Sequence, residues 1–303
     1  TLSLVSISYD NSESTKVKVG DTVTLTFTSS EAIQSPTVTI DGNAATISGS
    51  GTSWTASYTL VSGDTEGVLS FTIDFQDTTG NSGTQVTAVT DSSSVTFDET
   101  VPTVVSIVTD DSDDKVKDTD VVRVTTTFNE AMTSAPTISI DLPNGTDINA
   151  TSMTQSTTAD IWYYDWTVSD GGDGTATITV AGLDLAGNSY AGADTDTVTI
   201  DNTGPTLTIT AVDTSLIIGE TTVVTFTFSE DILGFIDADI TLTGGGSLSS
   251  ISATSSQVFS ATLTPPSDTT GTVTITVGAT KYTDVVLNDN TTTATISFTV
   301  DTQ

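Results

Sequence analysis

Histidine and cysteine are both absent from this 303-residue chain. Without them the Ser–His–Asp and Cys–His nucleophile systems are excluded, as are disulfide scaffolds and thiolate metal sites. Basic residues are scarce: six Lys and Arg stand against 39 Asp and Glu, a formal charge of −33. Such a surface repels nucleic-acid phosphates and anionic lipid, so neither nucleic acid nor direct membrane insertion is expected. It also opposes its own compaction unless cations or salt intervene. No stretch keeps helical periodicity for three turns, and no apolar run approaches a membrane span. Phosphate loops and dinucleotide fingerprints are missing too; "GGGS" (244–247) follows a short strand but leads to no helix. The chain opens at Thr1 without a charged or apolar leader, as a processed chain or an excised segment would.

What is present is Thr, Ser, Val, Asp, Ala and Gly, with Val, Ile or Phe alternating with Thr in runs that read as strands. Landmarks recur in one order, about every 100 residues. An opening strand reads "SLVSISYD" (3–10), "TVVSIVTD" (103–110) and "TLTITAVD" (206–213). A second strand, "GDTVTLTF" (20–27), "DVVRVTTTF" (120–128) or "ETTVVTFTF" (220–228), is followed closely by Glu31, Glu130 or Glu230. Later come an aromatic strand and the pairs Asp77/Asn81, Asp184/Asn188 and Asp284/Asn288, all at one spacing. Seven short strands per unit with turn residues between them fit an immunoglobulin-like sandwich. The expected architecture is all-β, three tandem immunoglobulin-like β-sandwich domains in an elongated array, spanning 1–101, 102–203 and 204–303. The closing "VDTQ" looks like a junction phrase cut short, so a longer protein is expected.

Period-two geometry puts Trp162, Tyr164, Trp166 and Val168 on one face of the aromatic strand, matching Trp54, Ala56, Tyr58 and Leu60, then Phe259, Ala261 and Leu263. That face is the expected core. Tyr163 and Ile161 then point outward, either as a small platform for a sugar ring or as an ordinary edge-strand pair.

These residues resemble the Ig-like repeat modules of very large bacterial surface proteins. The resemblance rests on "D-x-T-x-P" at Asp98–Pro102 and Asp201–Pro205, on the "FNEA" and "FSED" turns and on "DLAGN"; it covers essentially the whole chain. It implies an extracellular architectural or adhesive role, often with calcium held between neighbouring modules. The third copy departs from the pattern, reading "DVVLNDN" where the others have Gly before Asn. Gram-positive relatives often carry a Lys–Asn isopeptide crosslink, but the first and last strands here offer no matching Lys–Asn pair in all copies.

Sandwich topology places the acids. The loop after the second strand and the "D-x-x-x-N" loop lie at the end where each domain's chain begins; the loop after the first strand lies at the opposite end. The first junction should therefore gather Asp98, Glu99, Glu130, Asp184 and Asn188, with Asp10, Glu13, Asp64 and Glu66 approaching from the first domain. The second should gather Asp201, Glu230, Asp284 and Asn288, with Asp110, Asp111, Asp113, Asp114, Asp170 and Asp173 behind them. Hard oxygen donors without His or Cys match Ca2+ better than zinc or copper. The plainer alternative is that the Glu residues satisfy turn donors and the Asp–Asn loops are ordinary turns.

The expected role is a secreted, cell-surface rod stiffened by calcium in an adhesin. Alternatives are a subunit of a surface layer or extracellular filament, and a module that binds carbohydrate or another surface. Partners would be further Ig-like domains of the same or neighbouring chains, or cell-surface glycans. A glycosidase needs only two carboxylates, yet acid pairs arise by chance among 39 and small sandwiches offer no deep cleft, so no enzyme is expected. Asn144, Asn149 and Asn290 sit in N-x-T sequons.

Overall fold

The computed structural model describes residues 1–10, 16–169 and 172–303; Glu13 and Asp170 lie outside the described residues. Three sandwiches follow one another, each with its own core. In the first, Leu2–Tyr9, Thr22–Ser29, Ser53–Thr59 and Thr46–Ser50 form one antiparallel sheet in that spatial order. The second sandwich repeats it with Val104–Thr109, Val121–Phe128, Ile161–Thr167 and Thr154–Gln155. The third repeats it with Leu207–Ala211, Thr222–Phe228, Val258–Thr264 and Ser247–Leu248.

The facing sheet is tied to the first by a strand switch. After the opening strand the chain crosses over, and Lys16–Val17 pairs parallel to the closing strand Thr96–Phe97. Lys115–Val116 does the same with Thr195–Ile200, and Ser215–Ile217 with Ala294–Asp301. The closing strand is thereby held between neighbours up to the residue that leaves the domain. In all three units that residue is aspartate.

Alternation fills the cores. Val23, Leu25 and Phe27 of Thr22–Ser29 are buried, as are Val122, Val124 and Phe128 of Val121–Phe128. The aromatic strand buries the face expected from its period: Trp162, Trp166 and Val168 in the second unit, Trp54, Ala56 and Leu60 in the first, Ala261 and Leu263 in the third. Tyr164, Tyr58 and Phe259 are half-buried and pack against the same cores. Burying each large apolar side chain contributes about 1.5–3 kcal/mol. Both buried tryptophans at the start of that strand also find an acceptor, Trp54 Nε1 on Gly51 O at 3.1 Å and Trp162 Nε1 on Ala159 O at 3.0 Å.

The loops of the "D-x-x-x-N" phrase keep one geometry. Asp77 N donates to Asn81 O at 3.0 Å, Asp184 N to Asn188 O at 3.1 Å and Asp284 N to Asn288 O at 3.2 Å. The fourth residue is left-handed each time, with φ of 95° at Gly80, 89° at Gly187 and 67° at Leu287. The third copy therefore keeps the loop without its glycine, at a steric cost of about 1–2 kcal/mol. Asn290 is fully buried and spends its amide inside that domain, donating to Gly278 O and Thr292 O, so its sequon is closed to modification. No helix among the described residues is long and apolar enough to cross a membrane.

Candidate metal centres at the domain junctions

The strand switch aims the linker carboxylate. Asp98 N donates to Val17 O at 2.9 Å, continuing the parallel pairing one residue past the closing strand. Beyond it stand Glu130, two residues after Phe128, and Asp184, in the loop that follows Gly174–Ala181. One carboxylate oxygen from each of Asp98, Glu130 and Asp184 lies within 4.8 Å of the others. Asp184 is fully buried; its Oδ1 accepts from the N–H groups of Ala186 and Asn188, both at 2.8 Å. Its Oδ2 accepts from Asn188 Nδ2 at 2.9 Å, and the same amide reaches back to Asp98 O at 2.9 Å. Side chains of the second domain thus hold the backbone that leaves the first.

The second junction repeats the arrangement. Asp201 N donates to Val116 O at 2.8 Å, and the carboxylates of Asp201, Glu230 and Asp284 again fall within 4.8 Å. Asp284 is fully buried and accepts from Asn288 N and Nδ2, while Asn288 Nδ2 donates to Asp201 O at 2.8 Å.

Three carboxylates this close are costly when all are ionised. Burial pushes the Glu130 carboxyl up, and the charges of Asp98 and Asp184 push it further. Burial likewise raises Glu230, with Asp201 and Asp284 adding to the effect. Lys16 offsets part of this at the first junction, its Nζ lying 2.8 Å from Asp98 Oδ2. Each group can hold a metal ion, and its donors are hard oxygens of the kind that suit calcium or magnesium.

Residues 201–300 match the model of the bacterial Ig-like domain family. The chain is a tandem array of Ig-like domains that includes a bacterial Ig-like domain. The matched family is one of Ig-like repeats, not an enzyme family. No curated protein matches the sequence. Among solved structures, an I-band fragment of titin is 10% identical, with TM-score 0.38 and coverage of 99% of this chain and 100% of that one. The mouse nectin-like molecule 4 ectodomain is 13% identical, with TM-score 0.36 and coverage of 96% and 98%. A fragment of intimin is 14% identical, with TM-score 0.27 and coverage of 65% of this chain and 100% of that one.

The remaining acids expected at the Ig-like junctions do other work. Glu99 is not drawn into a triad: its N–H and that of Thr100 donate to Glu66 Oε1, at 2.9 and 2.8 Å, bracing the linker on its own domain. Asp173 does the same for the second linker, accepting from Asn202 N at 2.7 Å and from the Thr203 hydroxyl. Asp110 accepts from Arg123 N at 2.8 Å, Asp10 from Thr22 N at 2.9 Å, and Asp111 from Asp113 N at 3.2 Å. Asp64 accepts from Asn43, Tyr58 and Val61, and Asp114 from the Thr109 hydroxyl. Asp10, Asp110, Asp64 and Asp173 thereby satisfy backbone N–H groups in turns and at strand ends of their own domains.

Two features of the junctions lay outside the acidic pattern. Lys18 Nζ donates to Gly187 O at 2.6 Å, and Lys117 Nζ to Leu287 O at 2.6 Å, each crossing from one domain to the next. The signal was a "K-V-K" and a "K-V-K" at matching places in the first two repeats, answered by "S-L-I" in the third. Tyr163, the candidate sugar platform, is covered instead: the Arg123 guanidinium sits 4.2 Å from its ring centroid and pairs with Asp165 at 2.6 Å.

Proposed function

We propose that this chain is a rod-forming segment of a bacterial cell-surface protein, in which calcium ions at the two junctions stiffen consecutive Ig-like domains. One observation carries the reading: each carboxylate triad is assembled from both sides of a junction, and it is assembled twice. An ion held this way contacts the linker aspartate of one domain and the glutamate and buried aspartate of the next. Calcium suits the site better than magnesium, because it takes about six to eight oxygens in irregular geometry, whereas magnesium demands a near-ideal octahedron. Carboxylates, nearby amide oxygens and water supply such a set.

Calcium that binds the docked junction and not the loose one favours docking by mass action, by about 2.7 kcal/mol at a hundredfold excess over Kd. A docked array resists bending, which fits a spacer or stalk that holds a functional end away from a cell. Further Ig-like domains, of the same or neighbouring chains, are its natural partners. Calorimetric titration of the chelated chain should register two calcium ions, and small-angle scattering should show the largest dimension growing as they bind. Scattering profiles and melting curves indifferent to EDTA would sink the reading.

A further inference from the structure

The lysine contacts define the two faces of a junction without any metal. The outlet face of a domain presents Lys18 or Lys117, just beyond the short parallel strand, together with the aspartate that ends the closing strand. The inlet face of the next presents the carbonyl of the fourth loop residue, Gly187 or Leu287, and the amide of Asn188 or Asn288.

The first domain carries the same inlet loop. Gly80 N donates to Asp77 O at 3.1 Å, as Gly187 N does to Asp184 O at 3.1 Å. Asn81 N and Nδ2 donate to Asp77 at 2.9 and 2.7 Å, matching the bonds of Asn188 to Asp184. Gly80, Asn81 and Glu31 are exposed. The loop is therefore formed before any neighbour arrives.

The outlet of the third domain keeps the backbone and changes the side chains. Ile217 N donates to Glu220 Oε2 at 3.0 Å, the same turn bond that Lys18 N makes to Asp21 and Lys117 N to Asp120, both at 3.0 Å. Leu216 pairs with Val300 as Val116 does with Ile200, so Ile217 stands where Lys18 and Lys117 stand, and Ser215 where Lys16 and Lys115 stand. Asp301 is retained, but both amines are gone. Ile217 and Ile218 are 56% and 68% exposed there.

We propose that the inlet face of the first domain is a docking surface for an Ig-like domain whose outlet bears Lys-x-Lys and a strand-terminal aspartate, and that the third domain's own outlet is mismatched to it. The occupant follows from the two engaged copies of the same surface. An isoleucine set against the Gly80 carbonyl leaves that acceptor without the lysine donor that Gly187 and Leu287 have at the engaged junctions. Such a junction selects its neighbour by the side chains of the outlet. This inference rests on the lysine contacts and is independent of calcium.

The test uses the isotope-labelled 303-residue chain, with amide signals of Glu31, Gly80 and Asn81 followed as unlabelled chain is added to millimolar concentration. Unlabelled Ser215→Lys/Ile217→Lys chain should shift these signals in EDTA; unlabelled wild-type chain should leave them in place. Calcium should strengthen the effect of the double variant, and adding Asp301→Asn should remove that gain alone, which separates the metal reading from this one. Equal shifts from the wild-type chain, or none from a folded double variant, would overturn the proposal. Both substituted positions are exposed, so folding should survive, as the melting curve will report. A second variant, Lys117→Ile, reads the same rule inside the chain: it should loosen the second junction in EDTA by scattering, and an unchanged profile counts against the proposal.

Discussion

The side-chain amide of Asn188 donates to the backbone carbonyl of Asp98 at 2.9 Å, and Asn288 repeats the bond to Asp201 at 2.8 Å. One asparagine in each pair of domains thereby holds the strand end from which the linker aspartate projects. Asn188→Ala removes this bond and the one to Asp184 Oδ2 together. Net loss should be about 0.5–1.5 kcal/mol per bond. The first junction should become mobile by scattering while the second is unaffected, and Asn288→Ala should give the mirror image.

Gly204 makes the second linker lie closer than the first. A Cβ at this position would collide with the carbonyl oxygen of Asp289, on the inlet loop of the third domain. The corresponding linker residue at the first junction is Val101, which is 45% exposed. Gly204→Val should therefore force the second linker off the third domain, with backbone and not a flexible side chain having to yield. Calcium affinity at Asp201, Glu230 and Asp284 should fall at least tenfold in titration calorimetry, leaving the first junction intact.

Much of this was legible in the sequence for reasons of period and repetition. Trp162, Trp166 and Val168 could be assigned inward because strand side chains alternate, and two other copies of the strand agreed. Asp98 with Glu130 and Asp184 could be placed at one end because sandwich topology sends alternate loops to opposite ends. The division of labour among the acids was not legible. Glu99 and Asp98 are adjacent and chemically alike, yet one lies beside a linker braced by Glu66 and the other joins a triad. Only the place each carboxylate takes beyond the closing strand separates them, and that is a three-dimensional fact. The roles of Lys18 and Lys117 were not legible either, because their acceptors are carbonyls that sequence does not display.

The middle domain carries a removable cost in its core. Thr126 is fully buried and its Oγ1 has no partner. It pairs in the sheet with Trp162, at the place where Phe27 faces Trp54 and Phe226 faces Phe259 in the other domains. Trp166, opposite Val122 on the same strand pair, is fully buried too, and its Nε1 is also unpartnered. Thr126→Val keeps the shape and drops the hydroxyl, whose burial without a bond costs about 1–3 kcal/mol. Differential scanning calorimetry should show the middle domain's transition rising by about 4–8 °C per kcal/mol gained. An unchanged or lowered transition would mean the hydroxyl is satisfied by a buried water.

Binding of calcium should reverse the pH dependence of the junctions. Glu130 and Glu230 are raised above their ordinary value of 4.5, by burial and then by the neighbouring aspartates. Without a cation the folded state binds these two protons more tightly than the unfolded chain does. Stability then rises as pH falls from neutral toward the unfolded value, because protonation relieves the crowding. Glu66 and Asp165, held low by hydrogen bonds from Thr100 and Arg123, lose their contribution only below that window and do not mask it. With calcium saturating, the triads are ionised by the metal and protons compete with it, so stability should fall over the same range. Melting temperatures measured between about pH 7 and 5, in EDTA and in excess calcium, should therefore slope in opposite directions. Parallel slopes would show that the triads are not where the ion binds.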